Sequence, residues 1–216
     1  MKKNKGIIFN YLKLRKNMKT NNISSQIDEI INSNLEVVNT LNQVSNEIKQ
    51  TIIKIEKCLK KNKKIILFGN GGSAADAQHI AAEFIGRFLL ERKSYPAIAL
   101  TSNSSTITAL GNDYSFDVSF SRQCECLVNS GDVVIGISTS GNSKNVLDAL
   151  NTSKKKGAII IGLLGNNGGK MKKLVDIPII VKSNSTPRIQ EAHRLIYHII
   201  CELVEKKLKE NESKNY

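Results

Sequence analysis

Two short stretches of this chain carry polar side chains at helical spacing. His79 and Glu83 lie four residues apart in "HIAAEF", and Gln190 and His198 lie eight apart in "IQEAHRLIYH". Four residues of helix advance about 400°, which leaves His79 and Glu83 within about 40° of one face; eight residues leave Gln190 and His198 within about 80°. Two imidazoles, a carboxylate and an amide oxygen can hold a divalent ion. For zinc the His/His/Glu part is an ordinary catalytic set, with a further position open to substrate or water. The same carboxylate and imidazole can also move protons. Read from the residues alone, a lone histidine in a helix is more often a satisfied core or interface residue. The chain has only 3 histidines, the remaining one being His193.

A second group sits in "GISTSGNSKNVLDAL". Ser138, Thr139, Ser140 and Ser143 crowd around Gly141 where a buried strand gives way to a helix. Hydroxyls beside the free N–H groups of a helix start suit an anion, usually phosphate. The plainer alternative is a polar turn with Asn142 or Ser143 as N-cap. No magnesium motif accompanies the loop, so the phosphate would serve as a handle. A third loop, "FGNGGSAADA", approximates a dinucleotide fingerprint through Gly69, Gly71 and Ala74. The second strand, however, ends in "LTSNSS" without the acid that would hold a ribose. No Gly-Lys-Ser/Thr follows for a P-loop either. Asn112 and Asp113 in "LGND" read as a turn after Gly111.

The elements that must position these groups show in the periodicity. Short apolar runs at 64–70, 95–101, 132–138, 157–165 and 176–181 read as strands. Helical segments lie between them at 73–91, 104–129 with a break near Gly111, 142–156 and 168–174, and a last helix spans 186–210. Apolar strands alternating with helices predict an α/β three-layer sandwich around a five-stranded parallel sheet. Ahead of it, Ile27, Ile30, Ile31, Leu35, Val38 and Leu41, then Val44, Ile48, Ile52 and Ile55, predict two amphipathic helices suited to a partner subunit. The expected organisation is a basic, disordered extension over 1–21, one domain over 22–210 and a tail over 211–216.

Charge and cysteine content narrow the class. The net charge is +13, but residues 1–19 hold seven Lys/Arg and no acid, and the rest is scattered; only 5% of residues are aromatic and none is Trp. That pattern argues against a nucleic-acid platform. Four cysteines form no CxxC pair and read as free thiols in a reducing compartment. No apolar run approaches the ~20 residues of a membrane span, and no secretory signal is evident. The expected location is cytoplasmic, with neither nucleic acid nor membrane as partner.

Taken together, "GNGGSAADAQHIAAEFIGRF", "LGND", "GISTSGNSKNV" and "TPRIQEAHRLIYHIICELVE" resemble the sugar isomerase (SIS) domain, and more closely the phosphoheptose isomerases, over about residues 22–208 in the same order. The resemblance implies a flavodoxin-like SIS fold. It implies conversion of D-sedoheptulose 7-phosphate to D-glycero-D-manno-heptose 7-phosphate through an enediol, the first step toward nucleotide-activated heptose for lipopolysaccharide or capsule. It further implies one Zn2+ per subunit on His79, Glu83, Gln190 and His198, with Glu83 and His198 as acid–base pair. Substrate contacts would come from Asn70, Gly71, Gly72, Glu83, Asn112, Asp113, Ser138, Thr139, Ser140, Ser143 and Gln190, in a homotetramer with sites near subunit contacts. Two departures stand out: Ala82 where many relatives carry a second acid, and Pro187 where some carry an aspartate. Other readings of the same resemblance are a non-catalytic regulator of the replication initiator protein and an isomerase of another phosphosugar. Retention of Glu83, Gln190 and His198 together argues against the regulator.

Overall fold

The computed structural model describes residues 22–213, with side chains described through 210. The extension expected over 1–21 lies outside the described residues. The chain divides into two compact units, one ending at Leu35 and one beginning at Glu36. Helix α1, Ile23–Asn39, crosses that boundary. In the first unit its Ile23, Ile27, Ile30, Ile31 and Leu35 form an exposed apolar stripe at the expected spacing.

The second unit holds the sheet. Helix α2 (Ser45–Lys60) buries Ile48, Ile52, Ile55 and Leu59 on one face. Strands β1 (Ile65–Gly69), β2 (Ala97–Ala99), β3 (Val133–Ser138), β4 (Ile159–Gly165) and β5 (Ile177–Val181) follow. They pair in the order β2-β1-β3-β4-β5, every pair parallel, with Ile65 opposite Val133 and Ser138 opposite Leu164. Helices α3 (Gly72–Ile85), α4 (Ser104–Asp113), α5 (Ser121–Leu127), α6 (Lys144–Lys155) and α7 (Thr186–Ser213) connect and cover it. Because strand side chains alternate, Ile65 and Leu67 enter a core shared with α2, α3 and α7, while Ile66 and Phe68 enter a second core with α5 and α6. Burying each Ile or Leu contributes roughly 1.5–3 kcal/mol, and with both faces covered the strands have to be apolar throughout, as they are.

The structure departs from the periodicity in four places. The helix expected over 168–174 is only a 3-10 turn at Met171–Lys173, since Gly168 and Gly169 take positive φ just before it. The segment expected to be helical to 91 ends at Ile85, and residues 86–92 turn back as a loop for a reason given below. The strand expected over 95–101 shortens to Ala97–Ala99; Pro96 has no N–H to pair, and only its carbonyl joins the ladder, accepting from Ile65 N. The break expected near Gly111 falls at Tyr114–Ser115, with Gly111 inside α4. A glycine in a helix costs about 1 kcal/mol, too little to end it where other residues continue.

Candidate active site

The site lies where α3 and α7 meet. Gly71 has φ +56, a region that favours glycine, and it starts α3 directly after β1. Gly72 lies directly against the amide end of the Gln190 side chain, which a Cβ at this position would displace. The α3 start therefore packs against the first turns of α7. From that point the two helices run side by side, meeting again at Asp76–Arg194, Asp76–Tyr197 and His79–Tyr197.

His79, Glu83 and His198 come together. One ligand-capable atom from each lies within 4.8 Å of the others, and all three residues are partly exposed. His79 Nε2 is 2.8 Å from Glu83 Oε1, and the two imidazole rings pack edge to face at 5.3 Å. A carboxylate only accepts, so the neutral His79 ring carries its proton on Nε2, and Nδ1 accepts from the Tyr197 hydroxyl at 3.0 Å. Tyr197 Oη also reaches Asp76 Oδ1 at 3.4 Å, and Arg194 Nη2 reaches the same oxygen at 3.3 Å. Burial raises the pKa of Asp76 against the pull of Arg194. Burial and the Asp76 charge push Tyr197 up to about 12, so its hydroxyl stays protonated. The pKa of His198 is lowered, chiefly by burial. Gln190 lies against Gly72, about two helical turns before His198 on the same helix.

The hydroxyl loop is assembled at the end of β3. Ser138 Oγ lies 3.4 Å from Ser140 Oγ and 3.2 Å from Ser143 Oγ, and accepts from Gly141 N at 3.1 Å. Ser143 occupies the N-cap of α6, yet its hydroxyl makes no cap bond to the helix. It turns instead toward Ser138, so three hydroxyls converge at a helix start. Thr139 contributes its carbonyl to Asn166 Nδ2. Asn70, at the end of β1, forms a reciprocal pair with Asn145 in α6, both bonds 2.9 Å. That pair joins the glycine loop to the hydroxyl loop. Asn112 and Asp113 stand exposed at the end of α4, bonded to each other at 2.8 Å.

Asp76, Asn145, Arg194 and Tyr197 were not anticipated as site residues. Asp76 lies three residues before His79, and Arg194 and Tyr197 precede His198 by four and one. The spacing places Asp76 and Arg194 near the faces already identified, but nothing local distinguishes them from ordinary surface polar residues.

The family model of the SIS domain matches residues 29–165. The phosphoheptose isomerase of Nitratiruptor sp. is 59% identical over 155 residues, covering 72% of this chain and 82% of its own. That of Geotalea daltonii is 50% identical over 184 residues, covering 85% of this chain and 96% of its own. The solved phosphoheptose isomerase of Neisseria gonorrhoeae superposes with a TM-score of 0.82 at 36% identity, over 86% of this chain and 100% of that one.

Proposed function

This chain belongs to the SIS-domain family and, within it, to the phosphoheptose isomerases, and on that premise we propose that it isomerises D-sedoheptulose 7-phosphate at the His79–Glu83–His198 cluster. The observation that carries the assignment to this site is the convergence of one carboxylate and two imidazoles from α3 and α7, with ligand atoms within 4.8 Å. The Ser138–Ser143 loop holds the phosphate by its hydroxyls and the α6 start. Isomerisation removes a proton from C1 of the ketose while O2 gains one, giving an enediol; O1 then loses a proton and C2 gains one. Glu83 and His198 share these transfers as general acid and base. Tyr197 and Asp76 orient the His79 ring from its far side.

The three clustered residues also fit a zinc ion. His/His/carboxylate is a usual donor set for catalytic zinc, the atoms are already gathered, and His79 has an outer partner on Nδ1, as metal-bound imidazoles normally do. A bound ion supplies Lewis-acid stabilisation of the negative charge that develops on the enediol oxygens. Gln190 serves the substrate or the ion from its seat at Gly72.

The reading includes a homotetramer. The exposed stripe on α1 and the exposed Asn112–Asp113 pair support sites near subunit contacts. Four free cysteines support a reducing, cytoplasmic setting. Among the described residues no helix is long and apolar enough to cross a membrane.

The test is turnover. Incubation with sedoheptulose 7-phosphate, followed by NMR, should show the aldose product, and Glu83→Gln should lower kcat by ~10²–10⁴-fold. Chelation should abolish activity and zinc should restore it. Absence of turnover at high enzyme concentration would refute the function, and activity unaffected by chelation would refute the zinc.

A further inference from the structure

The loop that ends α3 is built around a buried ion pair that the chemistry above does not use. Arg92 and Glu205 have side chains only 1% and 2% exposed, joined at 3.0 Å through Arg92 Nε and Glu205 Oε1. Every face of both groups is occupied. Arg92 Nη2 donates to the Glu83 carbonyl at 2.7 Å, and Nη1 donates to the carbonyls of Phe84, Gly86 and Lys93 at 2.8, 3.0 and 2.9 Å. Glu205 accepts from the backbone N–H groups of Phe88, Leu89 and Leu90 at 2.9, 2.7 and 2.8 Å. Burial alone would raise the Glu205 pKa, but these three N–H groups and Arg92 outweigh it and hold the carboxyl below its ordinary range.

The placement bears on the site. The last carbonyls of a helix lack partners unless something caps them. Gly86 follows α3 with φ −76, outside the left-handed conformation of the usual glycine cap. The guanidinium takes that role, and one carbonyl it holds is that of Glu83 itself, in the last turn of α3. At the other end, Glu205 follows His198 by seven residues on α7, within about 20° of the same stripe. The pair thus ties the Glu83 end of one helix to the His198 face of the other.

We infer that Arg92 and Glu205 are positioning residues, a clamp that fixes the Glu83 carboxylate relative to His198. The inference rests on the reading of Glu83 as acid–base residue. It explains why 86–92 leaves the helix: the loop N–H groups are drawn to Glu205 and the guanidinium occupies the helix end. A displacement of about 1 Å in a reacting group can cost on the order of 100-fold in rate. Releasing the last turn of α3 should therefore lower kcat while leaving KM, set mainly by the phosphate loop, nearly unchanged.

The test compares full-length Arg92→Lys and the double variant Arg92→Met/Glu205→Leu, which replaces the buried pair by apolar groups of similar volume. The expected result for each, per folded molecule, is a kcat lower by ~10–100-fold with KM within about threefold. Amide exchange at Gly86, whose N–H bonds Ala82 O, should accelerate while β1 amides keep their protection. A folded variant with kcat within twofold of the parent would overturn the clamp. Where the double variant does not fold, Glu205→Gln replaces it, since it keeps one oxygen for Arg92 and turns an amide toward the loop N–H groups; the same kcat criterion applies. Glu83→Gln is the control. Parent-like activity there refutes the acid–base reading itself, whereas an inactive Glu83→Gln beside active clamp variants refutes the clamp alone.

Discussion

Tyr197→Phe isolates one hydroxyl. Tyr197 is 2% exposed. Phenylalanine keeps the ring and so keeps the edge contacts to His198 at 4.7 Å and to His79 at 5.5 Å. What disappears is the one hydroxyl hydrogen, given to His79 Nδ1 at 3.0 Å, with the longer alternative acceptor, Asp76 Oδ1, at 3.4 Å. Asp76 retains Arg194, but Nδ1 of His79 loses its partner. The His79 side chain is 37% exposed, so water can partly replace the lost partner and the cost is that of an ordinary hydrogen bond, about 0.5–1.5 kcal/mol. For a chain of this length that lowers the thermal midpoint by roughly 1–6 °C. The loss should extend to metal. To ligate through Nε2, His79 must carry its proton on Nδ1, where it donates to Tyr197 Oη, whose own hydrogen then turns to Asp76. Without the hydroxyl that tautomer has no acceptor, and zinc affinity should fall ~10–100-fold. Differential scanning of metal-free protein and competition titration with a zinc chelator measure the two effects. A Tyr197→Phe protein with parent midpoint and parent zinc affinity would refute the relay from His79 through Tyr197 to Asp76.

Two further outcomes follow from other parts of the fold. Ser138→Ala removes the hydroxyl on which Ser140, Ser143 and Gly141 N converge; a hydrogen bond to a charged group contributes about 1.5–3 kcal/mol, so KM should rise ~10–100-fold with kcat little changed, and steady-state kinetics showing the reverse would take the phosphate away from this loop. His193 is fully buried, donates Nε2–H to Leu164 O at 3.0 Å, and has its pKa lowered by burial from 6.5 to about 4. The unfolded chain binds this proton first, so the neutral ring's contribution is fully present above pH 6.5 and is lost as pH falls toward 4. At about 1.4 kcal/mol per pH unit the loss is about 3 kcal/mol; urea unfolding at pH 7 and pH 4 should show this decrement in the parent and not in His193→Gln, and equal pH dependence in the two would refute it.

The parts of the site that were legible in the sequence are those fixed by local geometry. His79 and Glu83 share a helix face because four residues make about one turn, and the hydroxyl loop follows its strand within a few residues. The parallel sheet followed from apolar runs alternating with helices, since a strand buried on both faces has to be apolar at every position. What was not legible depends on pairs far apart in the chain. Asp76 meets Tyr197 across 121 positions and Arg92 meets Glu205 across 113, and no spacing rule connects residues on different helices. The end of α3 shows how such a pair overrides a local preference. Residues 86–92, "GRFLLER", contain good helix formers after the glycine, and helix propensities differ by at most about 0.7 kcal/mol per ordinary residue. Against that stand three N–H bonds to a buried carboxylate and four carbonyl bonds from a buried guanidinium. Charged hydrogen bonds contribute about 1.5–3 kcal/mol each, and continuing the helix would take residues 88–90 away from Glu205 and forfeit those bonds. The loop therefore prevails over the helix, and Glu83 comes to stand in the last turn of α3, where the clamp can hold it.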